Sequence, residues 1–203
     1  NGHGEMVKGL IDKKADIHAA DKNGNTFLHA AVSGGLTDWV LYCLGNGFTV
    51  DKTNKYQVTP LFIAARKENA KLFNLLIEKG ADIHRIDSWE KNLLHAAAYG
   101  GNTGILDVCL KKKLPLDKTD QYGATPLNTA IKENRPAAIR RLIAAGARID
   151  FHSNSRLSPK VPKAYPPVLR AIIEKEPGAL KILLENGADL RVSDHQKHNA
   201  LYF

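Results

Sequence analysis

Eight histidines, two cysteines and twenty-one acidic side chains are the groups in this 203-residue chain that could hold a metal or move a proton. Their spacing decides between chemistry and architecture. His29 and His95 stand in the same local setting, Leu-His-Ala-Ala, and His18 and His84 share another. A residue that returns on a period is explained by the period and needs no site. Cys43 and Cys109 also share one apolar helical setting, where a free cysteine acts as a small hydrophobe, and holding the same position two stacked units apart, about 20 Å on the helix-packing scale, puts them beyond disulfide reach. His195 and His198 have no cysteine or carboxylate at metal-ligand spacing. Glu174 and Glu176 are surface charges near a helix end. There is no glycine-rich phosphate loop, no Gly-x-Ser-x-Gly elbow and no His-Glu-x-x-His helix. The expectation is a region without catalytic residue, metal or cofactor, with a catalytic domain elsewhere in a parent protein left open.

The elements that carry these residues repeat. Asp21-Lys22-Asn23-Gly24-Asn25-Thr26-Phe27-Leu28-His29-Ala30-Ala31 is echoed by Tyr56-Gln57-Val58-Thr59-Pro60-Leu61-Phe62-Ile63-Ala64-Ala65, and again from Asn92 and from Gly123. A second block, Lys79-Gly80-Ala81-Asp82-Ile83-His84, matches Ala145-Gly146-Ala147-Arg148-Ile149-Asp150 and Asn186-Gly187-Ala188-Asp189-Leu190. Starts at Asp21, Asn54, Asp87 and Asp120 give a period of 33. Thr59 and Thr125 stand where a helix N-cap is wanted, and Pro60 and Pro126 follow at the first helical position, where a missing N–H costs nothing. Leu61, Ala64 and Ala65 form a small apolar face. Leu72, Phe73, Leu75, Leu76 and Ile77 form an apolar stripe at helical spacing, ended by Gly80. One such unit cannot bury its own faces, so units must stack.

These residues resemble the ankyrin repeat, over nearly the whole chain. The resemblance implies an all-α solenoid of helix-turn-helix units with short β-hairpin fingers. The whole chain, 1–203, reads as a single domain. A partial repeat spans 1–20, and full repeats span 21–53, 54–86, 87–119 and 120–152. A further repeat spans about 161–193 after an insertion near 153–160, and a partial repeat 194–203 follows. Polar capping repeats are missing at both ends, which reads as an excerpt of a longer protein. The insertion, through to Pro167, is basic at Arg156, Lys160 and Lys163 and reads either as an elongated finger or as a docking arm. In the pattern Thr-Pro-Leu-His, the family places an imidazole that bridges neighbouring loops, the place held by His29 and His95.

The resemblance also implies a binding face made of finger tips and first helices. The third residue of each finger is Asn23, Tyr56, Trp89, Tyr122 and Lys163, so Tyr56, Trp89 and Tyr122 present three large rings, a residue class that dominates binding hot spots. The first helices add Arg66, Lys67, Tyr99 and Lys132, and Lys55 and Lys91 lie beside the tips with Lys52, Arg85 and Lys118. Trp39 falls at the second-helix position of Leu72 and Ile105 and reads as core.

A net charge of +8 and a pI near 9.4 favour an acidic partner. The reading is a monomeric scaffold or targeting module that holds a protein or peptide of acidic character, with no small-molecule substrate. Nucleic acid or acidic lipid is the alternative, weakened for nucleic acid by the interruptions at Glu133, Glu174 and Glu176. A spacer without a dedicated partner is the third. No apolar run approaches the roughly 18 residues that cross a bilayer, and no signal peptide is visible at the first residue. Two cysteines suit a reducing, intracellular and cytoplasmic setting, with the nucleus or delivery into a host cytosol left open.

Overall fold

A computed structural model describes residues 9, 16–150, 165–194, 197, 199, 200 and 202. The chain divides into two compact units, residues 1–82 and 83–203. In the first, α1 (Phe27–Ser33) packs on α2 (Thr37–Gly45) and on α3 (Pro60–Arg66), and α3 packs on α4 (Ala70–Glu78). The second unit holds α5 (Leu93–Gly100), α6 (Thr103–Lys111), α7 (Pro126–Lys132), α8 (Pro136–Ala144), α9 (Pro167–Ile173) and α10 (Pro177–Glu185). There α5, α7 and α9 form one row and α6, α8 and α10 another, each first helix packed on its own second helix.

Helix starts keep the period. The first helices begin at 27, 60, 93, 126 and 167, steps of 33, 33, 33 and 41, and the second helices at 37, 70, 103, 136 and 177 repeat those steps. The long step contains the insertion, whose residues 151–164, including Arg156, Ser158-Pro159, Lys160 and Lys163, lie outside the described residues, as do His195 and His198.

Helices of seven to nine residues are too short to persist alone in water, so packing must hold them. Leu61, Ala64 and Ala65 on α3 are fully buried, as are Leu72, Phe73 and Leu76 on α4. Alanines on the first helices let the helix pairs approach closely. Caps complete the ends: Thr59 Oγ1 accepts from the Phe62 N–H (3.4 Å) and Thr125 Oγ1 from the Asn128 N–H (3.2 Å). On the second helices, Asn69 Oδ1 accepts from Leu72 (3.0 Å) and Asn102 Oδ1 from Ile105 (3.1 Å).

Trp39 departs from expectation. Leu72 and Ile105, at the same register, are sealed in the core, whereas Trp39 is half-buried. An indole is too large for a slot sized for leucine and is seldom fully buried. It rests instead edge-on to Tyr42 (5.5 Å between ring centroids) and tilted against Phe27 (5.7 Å). Among the described residues, no helix is long and apolar enough to cross a membrane.

Candidate functional site: the finger edges

Each finger is a tight turn built by its first residue. The carboxylate of Asp87 accepts from the N–H groups of Trp89 (2.9 Å) and Lys91 (2.9 Å), and that of Asp120 from Tyr122 (2.9 Å) and Ala124 (2.9 Å). Asp21 does the same for Asn23 and Asn25 (both 2.8 Å), and the Asn54 amide for Tyr56 (2.9 Å) and Val58 (3.1 Å). These are Asx turns, favoured because a short side chain can replace backbone acceptors. They hold the third residue at the tip. Main-chain bonds then join neighbouring tips within a unit: Lys55 N–H donates to Asn23 O (2.9 Å), and Gln121 N–H donates to Trp89 O (2.9 Å). Among the described residues, the one β-bridge pairs Ser193 with Asn199, so the fingers are turns rather than extended ladders.

The third-position rings are accessible. Tyr56 is 43% exposed and Tyr122 44%, while Trp89 is half-buried. Tyr99, at the C-terminal end of α5, is 37% exposed. Arg66, Lys67 and Lys132 are exposed at the ends of α3 and α7, and Lys55 is exposed beside the Tyr56 tip. The first unit thus carries Tyr56, Lys55, Arg66 and Lys67 as exposed side chains, and the second carries Trp89, Tyr122, Tyr99, Lys91 and Lys132, exposed or half-buried.

Lys91 has a partner. Its ammonium lies 3.9 Å from Asp120 Oδ2, a carboxylate whose side chain is only 4% exposed. The finger segments of the second unit, 83–92 and 114–125, carry three cations (Arg85, Lys91, Lys118) against four anions (Asp87, Glu90, Asp117, Asp120). The tips there are aromatic without being basic. Burial raises the Asp87 carboxyl above the usual range, opposed by hydrogen bonds from Lys91 and Trp89. At the first finger, hydrogen bonds from Asn25 hold Asp21 below that range.

Behind the tips, histidines act as latches. His29 Nε2 reaches Val58 O (3.2 Å), and His95 Nε2 reaches Ala124 O (3.0 Å), each bonding the next finger. On the other side of each ring, Nδ1 accepts from the N-cap N–H of Thr26 (3.1 Å) or Asn92 (3.2 Å). Nε2 must therefore carry the proton. Burial, the largest cause, lowers the pKa of both, that of His95 to about 4. His18 stacks on Phe48, ring centroids 4.5 Å apart.

Sequence reasoning missed a second latch. Asp51 accepts from the Asp82 N–H (3.0 Å), Asp117 from Arg148 (3.1 Å) and Asp150 from Asp189 (3.4 Å). His84 occupies that register too, and opposite it stands Pro115, which has no N–H to give. The aspartates at 51, 117 and 150, which share one place in the repeat, were the available signal.

Cys43 and Cys109 are buried, and burial pushes their thiols up to about 11 and about 12. Such thiols stay protonated and inert. Among the described residues, no three histidine, cysteine or acidic side chains are grouped to hold a metal ion.

The profile described as "Ankyrin repeats (3 copies)" matches residues 1–87 and 84–154. The chain is 30% identical over 123 residues to the transient receptor potential cation channel subfamily A member 1 homolog of Caenorhabditis elegans, covering 61% of this chain and 10% of that protein. It is 26% identical over 163 residues to the nuclear factor NF-kappa-B p105 subunit of Rattus norvegicus, covering 71% of this chain and 16% of that one. The crystal structure of the human ASB11 ankyrin repeat domain superposes with a TM-score of 0.78 at 24% identity, over 96% of this chain and 84% of that one. The chain thus spans a small part of the length of these curated relatives.

Proposed function

The chain belongs to the ankyrin repeat family, an all-α fold whose members generally mediate protein–protein interactions, and from that premise we propose that its finger tips and first-helix ends hold a partner protein or peptide. The observation that carries this reading is the exposure of large rings at the third finger position, where Asx turns and tip-to-tip main-chain bonds keep them in place. A ring fixed before binding loses little freedom on docking, which is what makes such residues strong anchors.

In the first unit the proposed contacts are Tyr56, Lys55, Arg66 and Lys67. In the second they are Trp89, Tyr122, Tyr99, Lys91 and Lys132. The exposed cations at the helix ends fit a partner of acidic character, with attraction that speeds encounter and weakens with salt. The module acts as a monomer, by binding rather than by catalysis.

The test compares proteins retained by the wild-type chain with those retained by Tyr56→Ala, Trp89→Ala and Tyr122→Ala variants. For a retained partner, Trp89→Ala is expected to weaken affinity by more than about 1 kcal/mol, as loss of a hot-spot anchor does, with an unchanged melting temperature. A large fall in melting temperature at unchanged affinity makes the ring a structural wedge and ends the proposal for the second unit.

A further inference from the structure

The positive charge is unevenly shared. Residues 1–82 carry ten basic against nine acidic side chains, and residues 83–203 carry nineteen against twelve. The second-helix row of that second unit uses part of its charge internally: Arg141 pairs with Asp107, and Arg140 (3.4 Å) and Lys181 (3.9 Å) both approach Glu185. The finger segments carry no surplus.

An unspent group stands where α6 ends. Lys111 is the last residue of α6, Lys112 its C-cap and Lys113 the residue after. All three are exposed, and none makes an ion pair among the described residues. The following repeat brings Arg148 against the same loop, through its N–H bond to Asp117 Oδ1 (3.1 Å), and half-buried Lys118 lies one residue beyond that aspartate.

Lys113 is also strained. Its φ is +58°, at the position where the other repeats place Gly47, Gly80, Gly146 and Gly187, all with positive φ. Glycine is free of strain there and an L side chain is not.

Three consecutive exposed ammonium groups, with no ion pair among the described residues, suit a broad anionic surface. We propose that the Lys111–Lys112–Lys113 turn, with Lys118 and Arg148 beside it, docks the second unit on a bilayer rich in anionic headgroups. A nucleic-acid duplex is also polyanionic, but its phosphates favour a continuous track of cations, and a single strand favours exposed rings for its unstacked bases. Asp107 and Asp117 interrupt this patch, and residues 103–118 contain no aromatic side chain. Of these residues Lys118 alone belongs to a finger segment, and none is among the proposed partner contacts.

Flotation of the full chain with phosphatidylcholine vesicles, with and without phosphatidylserine, tests this at low and physiological salt. The chain is expected to float only with the phosphatidylserine vesicles, and less so as salt rises. Lys113→Gly should lower the partition about fivefold, the usual weight of one lysine near such a surface, while raising the melting temperature because the turn is relieved. Adding Lys112→Gln should multiply the loss by about five again. Trp89→Ala should float like wild type, which separates this docking from the partner-binding face. The proposal is overturned if wild type does not float with phosphatidylserine, or if Lys113→Gly floats equally well. A short DNA duplex that binds more tightly than the vesicles, and depends on the same lysines, also overturns it and assigns the patch to nucleic acid.

Discussion

The junctions at His95 and at Asn128 lie one repeat apart in the second unit and meet the same demand with different side chains. Each must supply a donor to the next finger and an acceptor to its own N-cap. His95 does both, through Nε2 to Ala124 O (3.0 Å) and Nδ1 from the Asn92 N–H (3.2 Å). Asn128 does half. Its Nδ2 donates to Tyr165 O (2.9 Å), while its Oδ1 is buried without a hydrogen-bond partner. An amide on a short stem reaches one side of the gap that an imidazole spans. The histidine has its own cost, because a ring this deeply buried must stay neutral. His95 also meets an awkward neighbour: the Asn92 amide oxygen lies 2.7 Å from Nδ1, whereas at the first junction Thr26 can offer a hydroxyl proton to His29 Nδ1 (2.9 Å). The Asn92 amide nitrogen donates instead to Pro115 O (3.0 Å), in the loop whose register partner is His84 rather than an aspartate.

The largest effect should come from breaking the complete latch. His95→Ala removes two hydrogen bonds, strands a buried carbonyl and opens a cavity. It is expected to cost about 3 kcal/mol by the sum of such losses, read from the denaturation midpoint. A loss no greater than that of Asn128→Ala would show that the second hydrogen bond contributes nothing.

Acid should weaken the same junction and spare the other. The folded pKa of His95, about 4, lies below its ordinary 6.5. The unfolded chain therefore binds the proton more readily, and the contribution is complete above about pH 7 and lost as pH falls from 6.5 through 4. Linkage puts the loss at about 2 kcal/mol by pH 5. Carboxylates titrate in the same range, so the quantity to plot is the stability of wild type minus that of His95→Asn against pH. It should shrink on acidification, and a flat difference would mean that the ring is not held neutral.

The smallest of the three effects is a gain. Asn128→His should supply both bonds and add about 1 kcal/mol, the usual net worth of one hydrogen bond. A loss would show that the pocket beside Thr125 has been shaped to the amide.

Much of the scaffold was legible because its signals recur. Threonine before proline marked the starts of α3 and α7, Gly80 marked the end of α4, and alternating small and large apolar residues marked which faces are buried. The role of His29 and His95 as bridges followed from their shared place in the repeat. Other features were harder to read. Asn128 does not look like histidine, so the third latch emerges only from the distance to Tyr165. Lys113 sits in a run of lysines where nothing local announces a left-handed turn. Lys91 was counted among the cations around the tips because pairing with Asp120 depends on how neighbouring fingers stack. Trp39 followed its register in the chain but not its size.

The two latches also measure chain length. His29 to Val58 and His95 to Ala124 span 29 residues, and Asn128 to Tyr165 spans 37. Asp51 to Asp82 and Asp117 to Arg148 span 31, and Asp150 to Asp189 spans 39. Both kinds of bond absorb the same eight extra residues and still meet their partners. Length at that point is a free variable for the architecture, since closing a longer loop costs only about 0.6 kcal/mol per doubling. Evolution, or an engineer, can write a new segment there while the helices on either side keep their appointments.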